Sequence, residues 1–211
     1  MTEPASPLEK RLSEAIASHD RDAALEIALE EVRSGRVAIP GLYDALTNLL
    51  VGLGQAWQRG ETQVWQEHFA TSVVRTIIEA CHSLVNESAA APIGKTVLLA
   101  TPPEEYHDLG LRMISDRFEL AGWTTHLLGA SLPVAQLSLA INTLGADAVV
   151  LSASTHFHRV ALRGYVQKLR SDHPALRIWV GGAAFEDGAP DWPPGSLLDP
   201  EAIPTLAQQV G

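Results

Sequence analysis

One cysteine, Cys81, stands among 211 residues, and a single thiol builds neither a disulfide framework nor a cysteine-rich zinc site. Its place in an apolar helical stretch suits a buried structural thiol. Long apolar runs are also lacking. None approaches the ~20 residues that a membrane span requires, and Met1–Asp20 is polar and charged, unlike a secretory signal. Basic clusters are absent as well. Fifteen Lys and Arg face 25 Asp and Glu, a formal net charge of −10, and the acidic excess is spread over both halves of the chain. Nucleic-acid binding leaves a basic footprint, so direct binding of DNA, like insertion into a membrane, is not expected. The expected location is the cytoplasm. What remains is ordinary globular composition, 46% hydrophobic and 19% charged, which excludes disordered and collagen-like chains.

The apolar residues that are present follow two different periods. Leu8, Leu12 and Ile16 form one helical stripe; Ala24, Ile27, Ala28 and Val32 form a second. Asp20 stands where an N-cap belongs, so His19–Arg21 joins two helices. Pro40 suits the first turn of a third helix, which carries Leu42, Leu46, Leu49, Leu50, Leu53 and Trp57 and stops near Gly60. Thr62 is placed to cap a fourth, running through Trp65, Ala70, Val73, Val74, Ile77, Ile78 and Leu84. Residues 1–90 therefore read as a four-helix bundle. Ala89–Gly94, with Pro92, reads as a linker.

Beyond it, short apolar runs alternate with helical stretches. Strands are expected at Thr96–Ala100, Trp123–Leu128, Ala148–Leu151 and Arg177–Val180. The helices between them fall at about Tyr106–Leu120, Pro133–Leu144 and Val160–Leu169. Leu197–Leu198 and Ile203–Val210 are candidates for a fifth strand and a last helix. This alternation gives residues 95–211 a Rossmann-like, doubly wound parallel sheet. In such sheets ligands bind beyond the carboxyl ends of the strands.

Those ends carry the chemistry. Glu105-Tyr106-His107-Asp108-Leu109-Gly110 follows the first strand, Ser152-Ala153-Ser154-Thr155 the third, and Gly181-Gly182-Ala183 the fourth. A carboxylate beside an imidazole fixes the ring tautomer and makes the far nitrogen a better metal donor. Paired glycines let a bulky ligand approach the backbone. Taken singly, each element has an ordinary explanation: a solvated histidine, a helix-capping serine, a turn.

Their spacing is more specific. Gly110 is followed by 41 residues, then Ser152-Ala153-Ser154, then 26 residues, then Gly181-Gly182. This region resembles the cobalamin-binding domain family, with its Asp-x-His-x-x-Gly, Ser-x-Leu and Gly-Gly elements at matching gaps. The resemblance implies that His107 is the lower axial ligand of cobalt. It also implies that the nucleotide tail runs past Ser152, Ser154 and the Gly181-Gly182 turn. Glu105 stands where the family has Asp, and Ser154 where it has Leu.

Trp57, nine residues, then Glu67-His68 resembles the Trp-x9-Glu-His motif of CarH-type adenosylcobalamin photoreceptors. That implies a helical unit covering the upper corrin face, with these three residues around the 5′-deoxyadenosyl group. Taken alone, Trp57 is equally a core residue and Glu67-His68 a solvated pair. Gln58 replaces the His that follows the motif Trp in that class, which puts a bis-histidine photoproduct in doubt. The implied function is a light sensor without turnover, in which loss of the adenosyl group changes conformation or assembly. A protein partner or a second copy would read that change. The chain begins almost at the bundle, so it is either a stand-alone sensor or a truncated one. Three other readings stay open: a methylcobalamin carrier for a methyltransferase, a light-indifferent cobalamin sensor, and a domain binding another tetrapyrrole or a nucleotide. His156 and His158, after the third strand, are expected to be exposed, the alternative being contact with the nucleotide tail. Asp187–Pro194, with Trp192, is expected to fold onto the sheet edge, or else to form a contact surface.

Overall fold

The computed structural model describes residues 5–210. The chain divides at Glu87/Ser88 into two compact units.

The first unit is helical throughout. α1 (Pro7–Ala17) opens with a capping box in which Ser6 Oγ accepts from Glu9 N–H and the Glu9 carboxylate accepts from Ser6 N–H. Asp20 caps α2 (Arg21–Arg33) by accepting from Ala23 N–H at 2.9 Å. His19, in the turn between them, has a left-handed backbone with φ of 59°. α3 (Ile39–Gln58) takes Pro40 in its first turn. Its stripe is only half buried: Leu42 and Leu46 are inside, whereas Leu49, Leu50 and Leu53 are partly open and Trp57 is 49% exposed. α4 (Val64–Ser88) begins two residues after Thr62. Gln63 holds the capping position, donating its N–H to Gln66 Oε1 at 2.9 Å. Cys81 is fully buried on α4.

In the second unit four parallel strands, β1 (Thr96–Ala100), β2 (Thr124–Gly129), β3 (Ala148–Ser152) and β4 (Arg177–Gly181), form a sheet of order β2-β1-β3-β4. Helices α5 (Leu109–Leu120), α6 (Val134–Leu144) and α7 (His156–Asp172) make the crossovers. Period-two alternation divides the sheet into two covered faces. Leu98, Ala100, Val149, Leu151 and Val180 pack with Leu137, Ile141, Leu162 and Val166 of α6 and α7. Val97, Leu99, Val150 and Trp179 pack with Leu111, Phe118 and Trp123, and with Ile203 and Leu206 near the C-terminus. The expected doubly wound sheet is therefore present.

Its periphery differs from expectation. The fifth strand contracts to one parallel bridge between Val180 and Leu197, because Pro193, Pro194 and Pro200 remove the donors a longer ladder needs. The last helix is 3₁₀ over Pro200–Gln209, with Pro204 inside it. Pro204 lacks the N–H and crowds the preceding turn. The stretch expected as a linker is docked along its own unit: Ala90 N–H bonds Leu120 O, and Ile93 N–H bonds Gly122 O. Gly122, at φ of 85°, has room for no side chain, since a Cβ would lie 2.4 Å from Ala91 O. Among the described residues no helix is long and apolar enough to cross a membrane.

Candidate functional site

The site is built from loops at the carboxyl ends of β1, β3 and β4. The β1 loop is fixed first by its backbone. Thr101, fully buried, donates its hydroxyl to Glu105 O at 2.5 Å and accepts from Ser131 N–H at 2.9 Å. Ser131 lies in the loop after β2, and its Oγ accepts from Glu104 N–H at 3.0 Å. Glu104 and Ser131 both have left-handed backbones, with φ of 68° and 56°. These bonds stop α5 from starting at Tyr106; it begins at Leu109. Glu105 is thereby turned inward, 0% exposed, while Tyr106 is 69% exposed.

The Glu105 carboxylate divides its two oxygens between two sets of donors. Oε1 faces His107, 3.0 Å from its backbone N–H and 2.6 Å from Nδ1. Oε2 accepts from Ser154 N–H at 2.7 Å and from Ser154 Oγ at 2.6 Å. It also lies 2.9 Å from Nδ1 of His158. Burial pushes the carboxyl pKa up, but the Ser154 hydroxyl, the His107 and Ser154 backbone N–H groups and the His107 ring outweigh it. Together they hold the group down at about 2. An ionised carboxylate only accepts, so Nδ1 of His107 carries the proton. In the neutral ring Nε2 then has a bare lone pair on a side chain that is 73% exposed. Such an imidazole is prepared to bind one metal centre through Nε2.

The third and fourth loops adjoin it. Gly182, φ 98°, is exposed yet crowded: a Cβ there would stand 2.4 Å from Ala153 O and 2.6 Å from Ser152 Oγ. Its missing side chain lets two loops touch. Gly181 is the open one of the pair, with nothing within 4 Å of a built Cβ, and Ala183 beside it is exposed. Thr155 caps α7, its Oγ1 accepting from His158 N–H at 3.3 Å. Asp108 turns toward its own helix, 3.3 Å from Arg112 Nε, and Gly110 lies inside α5.

The structure thus brings together Glu105, His107 and Ser154, and places Ser152 against the Gly182 turn. It adds two residues that the sequence reading missed. Thr101 bears no motif signal. His158, expected to be exposed, has a side chain only 14% exposed. The usable clue was Thr155: a cap there makes His158 the third helical residue, whose side chain leans back over the preceding loop. His156 is exposed as expected. The Asp187–Pro194 segment is held to α7 through Arg159, which donates to Ala184 O at 2.9 Å and Gly188 O at 3.1 Å and pairs with Asp191. Trp192 packs on Phe185 with ring centroids 5.5 Å apart.

Trp57, Glu67 and His68 belong to the helical unit. Trp57 is the penultimate residue of α3, Glu67 lies in the first turn of α4 and His68 follows it. Glu67 Oε1 accepts from Thr71 Oγ1 at 2.8 Å, and its other oxygen lies 3.5 Å from His68 Nε2. Both contacts of Glu67 lie within α4, whereas those of Glu105 join two loops.

Comparison with known proteins defines the class. Residues 95–193 match the family described as B12 binding domain, and residues 8–82 match a second family of the same description. The chain belongs to the B12-binding-domain proteins. It is 31% identical over 173 residues to the HTH-type transcriptional repressor CarH of Myxococcus xanthus, an alignment covering 81% of this chain and 56% of the repressor. The chain thus spans little more than half the length of that relative. To dimethylamine corrinoid protein 1 of Methanosarcina acetivorans it is 22% identical over 179 residues, 82% of each chain. The monomethylamine corrinoid protein of Methanosarcina barkeri has the same fold, with a TM-score of 0.81 at 13% identity, covering 96% of this chain and 97% of that one. The donor set fits a corrinoid. It offers one imidazole nitrogen backed by a committed carboxylate, in the same set of strand-end loops as Gly181, which has open space where a side chain would stand.

Proposed function

We propose that the protein is a light sensor that holds adenosylcobalamin and passes a change of conformation or assembly to a partner protein. The observation that carries the cobalamin half is the Nδ1-protonated His107, held on the buried Glu105 carboxylate with Nε2 open to a metal. The adenosyl form and the response to light are supported by the likeness to CarH and by Trp57, Glu67 and His68 at the spacing of the photoreceptor motif.

Bound adenosylcobalamin supplies a cobalt–carbon bond that visible light breaks. Every other part belongs to the chain. His107 would hold the cobalt through Nε2, while Glu105 and Ser154 would keep its proton on the far nitrogen. Ser152, Ser154, Thr155 and the Gly181-Gly182-Ala183 turn border the path of the tail, with Asp108 and Gly110 shaping the loop and helix that carry His107. Residues 95–211 act as the cobalamin domain, and residues 1–90 supply the residues that recognise the adenosyl group. The Trp57 ring provides apolar surface, and Glu67 and His68 provide an acceptor and a donor for ribose and adenine. When these three lose that contact, the balance between two states of the helical unit shifts. A transcriptional regulator or a second copy of the chain is the partner that reads the shift. No residue here is assigned a proton-transfer role, and no turnover is proposed.

A second reading has its own support. The dimethylamine corrinoid protein aligns over 82% of both chains, which favours a methylcobalamin carrier serving a methyltransferase. Absorption spectra separate the two readings. The protein is mixed with adenosylcobalamin in the dark, exposed to green light, and passed over a sizing column before and after. The sensor reading expects a bound dark spectrum, a cobalt(III) photoproduct and a changed elution volume. Binding with unchanged elution supports the carrier, and no binding removes both readings.

A further inference from the structure

His158 is the residue that neither the spacing motifs nor the family likeness singled out. It stands in the first turn of α7, with a side chain 14% exposed and Nδ1 2.9 Å from Glu105 Oε2. The same nitrogen is 2.8 Å from Thr155 Oγ1, so the helix cap and the carboxylate together fix the ring. Glu105 therefore bridges two imidazoles, meeting each through Nδ1. His107 sits on Oε1 and His158 on Oε2. The hydrogen-bond partner of the His158 nitrogen is Thr155 Oγ1; toward Oε2 it makes a close polar contact at 2.9 Å, and a protonated Nδ1 turns its positive edge to that oxygen.

A carboxylate has one unit of charge and roughly four lone-pair positions. Its hydrogen-bonding partners are His107 twice and Ser154 twice, and His158 Nδ1 adds an electrostatic contact at 2.9 Å on Oε2. Each donor on Oε2 draws charge away from Oε1. Less charge on Oε1 means a weaker pull on the Nδ1 proton of His107, and so a less electron-rich Nε2. Ser154 holds Oε2 through two bonds of 2.7 and 2.6 Å and His107 holds Oε1 through two more, so the carboxylate is oriented from both sides without His158. His158 is then left with an electrostatic effect.

We propose that His158 is a positioning residue that competes with His107 for the charge of Glu105 and so weakens the grip of His107 on its metal. The inference rests on the reading of His107 as the cobalt ligand. It predicts a direction opposite to that of simple structural support. A prop, once removed, leaves the ligand looser; a competitor, once removed, leaves it tighter.

The test uses the full chain with H158F, which keeps a ring but no donor, and H158N, whose amide nitrogen takes the place of Nδ1. The first readout needs no cofactor: the proton shift of His107 Nδ1–H in the ¹⁵N-histidine-labelled protein. It should move downfield in H158F and return toward wild type in H158N. The second readout is the electron paramagnetic resonance spectrum of bound cob(II)alamin in the ¹⁵N-histidine-labelled protein titrated with unlabelled imidazole, which turns two-line into three-line splitting as it displaces the histidine. H158F should need about three- to tenfold more imidazole, a smaller factor than the ~10–100-fold that direct partners of a metal-bound imidazole carry. An unchanged or upfield proton, or easier displacement in H158F, overturns the proposal. Absence of histidine-bound cobalamin in the wild type while the proton still shifts would instead overturn the cobalt reading alone. Equal behaviour of H158F and H158N would show that the donor is irrelevant.

Discussion

In the sheet unit Glu105 is 0% exposed and two neighbouring loops are bonded through it. In the helical unit Trp57 is 49% exposed and the His68 side chain 73% exposed, with one ion pair at 3.5 Å between Glu67 and His68. The first arrangement is built before any ligand arrives; the second is a surface that a ligand would have to order. Under the proposed function, a prearranged His107 and an adaptable set of contacts would divide the labour of a sensor. The metal would then be held in both states, and only the contacts that report on it would need to change. A carrier needs the first arrangement equally but gains nothing from the second.

The comparison breaks most readily where the sheet unit is tightest. In G182A a methyl group would meet Ala153 O, on a residue whose φ of 98° already disfavours any side chain. The variant should lose about 3–4 kcal/mol, strain and overpacking combined, measured by urea denaturation. A G181A control, with nothing within 4 Å of its Cβ, should lose much less and isolate the contact at Gly182.

Acid should act on the same unit through Glu105. Its folded pKa is about 2 against an ordinary 4.5, so the unfolded chain takes up the proton first as pH falls. The stabilisation is complete above pH 4.5 and is lost as pH falls toward 2, about 3 kcal/mol in all. Comparing the pH dependence of wild type and E105Q over that window isolates the contribution, because the amide does not titrate.

The smallest effect on stability should come from the helical unit. W57A removes an exposed ring and should change stability by less than about 0.5 kcal/mol. It should still weaken adenosylcobalamin binding by about tenfold, the loss of one aromatic contact, while leaving hydroxocobalamin binding unchanged. Equal weakening of both would assign Trp57 to general packing.

Much of this arrangement is legible in the amino-acid sequence. The runs Thr96–Ala100 and Ala148–Leu151 mark buried parallel strands because both of their faces are covered. The order of acid, imidazole, hydroxyls and glycines then falls at strand ends because a doubly wound sheet leaves its ligand crevice there. His158 was not legible, since its placement depends on where α7 starts, and Thr155 moves that start four residues earlier than the apolar pattern suggests. The role of Gly182 was only half legible. Two adjacent glycines suggest room for a ligand, yet one of them serves a contact between loops that are distant in sequence. The fifth strand failed because local hydrophobicity at Leu197–Leu198 says nothing of the prolines that withhold its ladder.

The most direct test of the central claim is electron paramagnetic resonance of the protein loaded with cob(II)alamin, after labelling with ¹⁵N-histidine. Ligation by His107 predicts that each cobalt line splits into two with ¹⁵N-histidine and three with ¹⁴N, and that the dependence on the histidine label disappears in H107A. Three-line splitting unaffected by the histidine label would show that the cofactor keeps its own base, and would contradict the account.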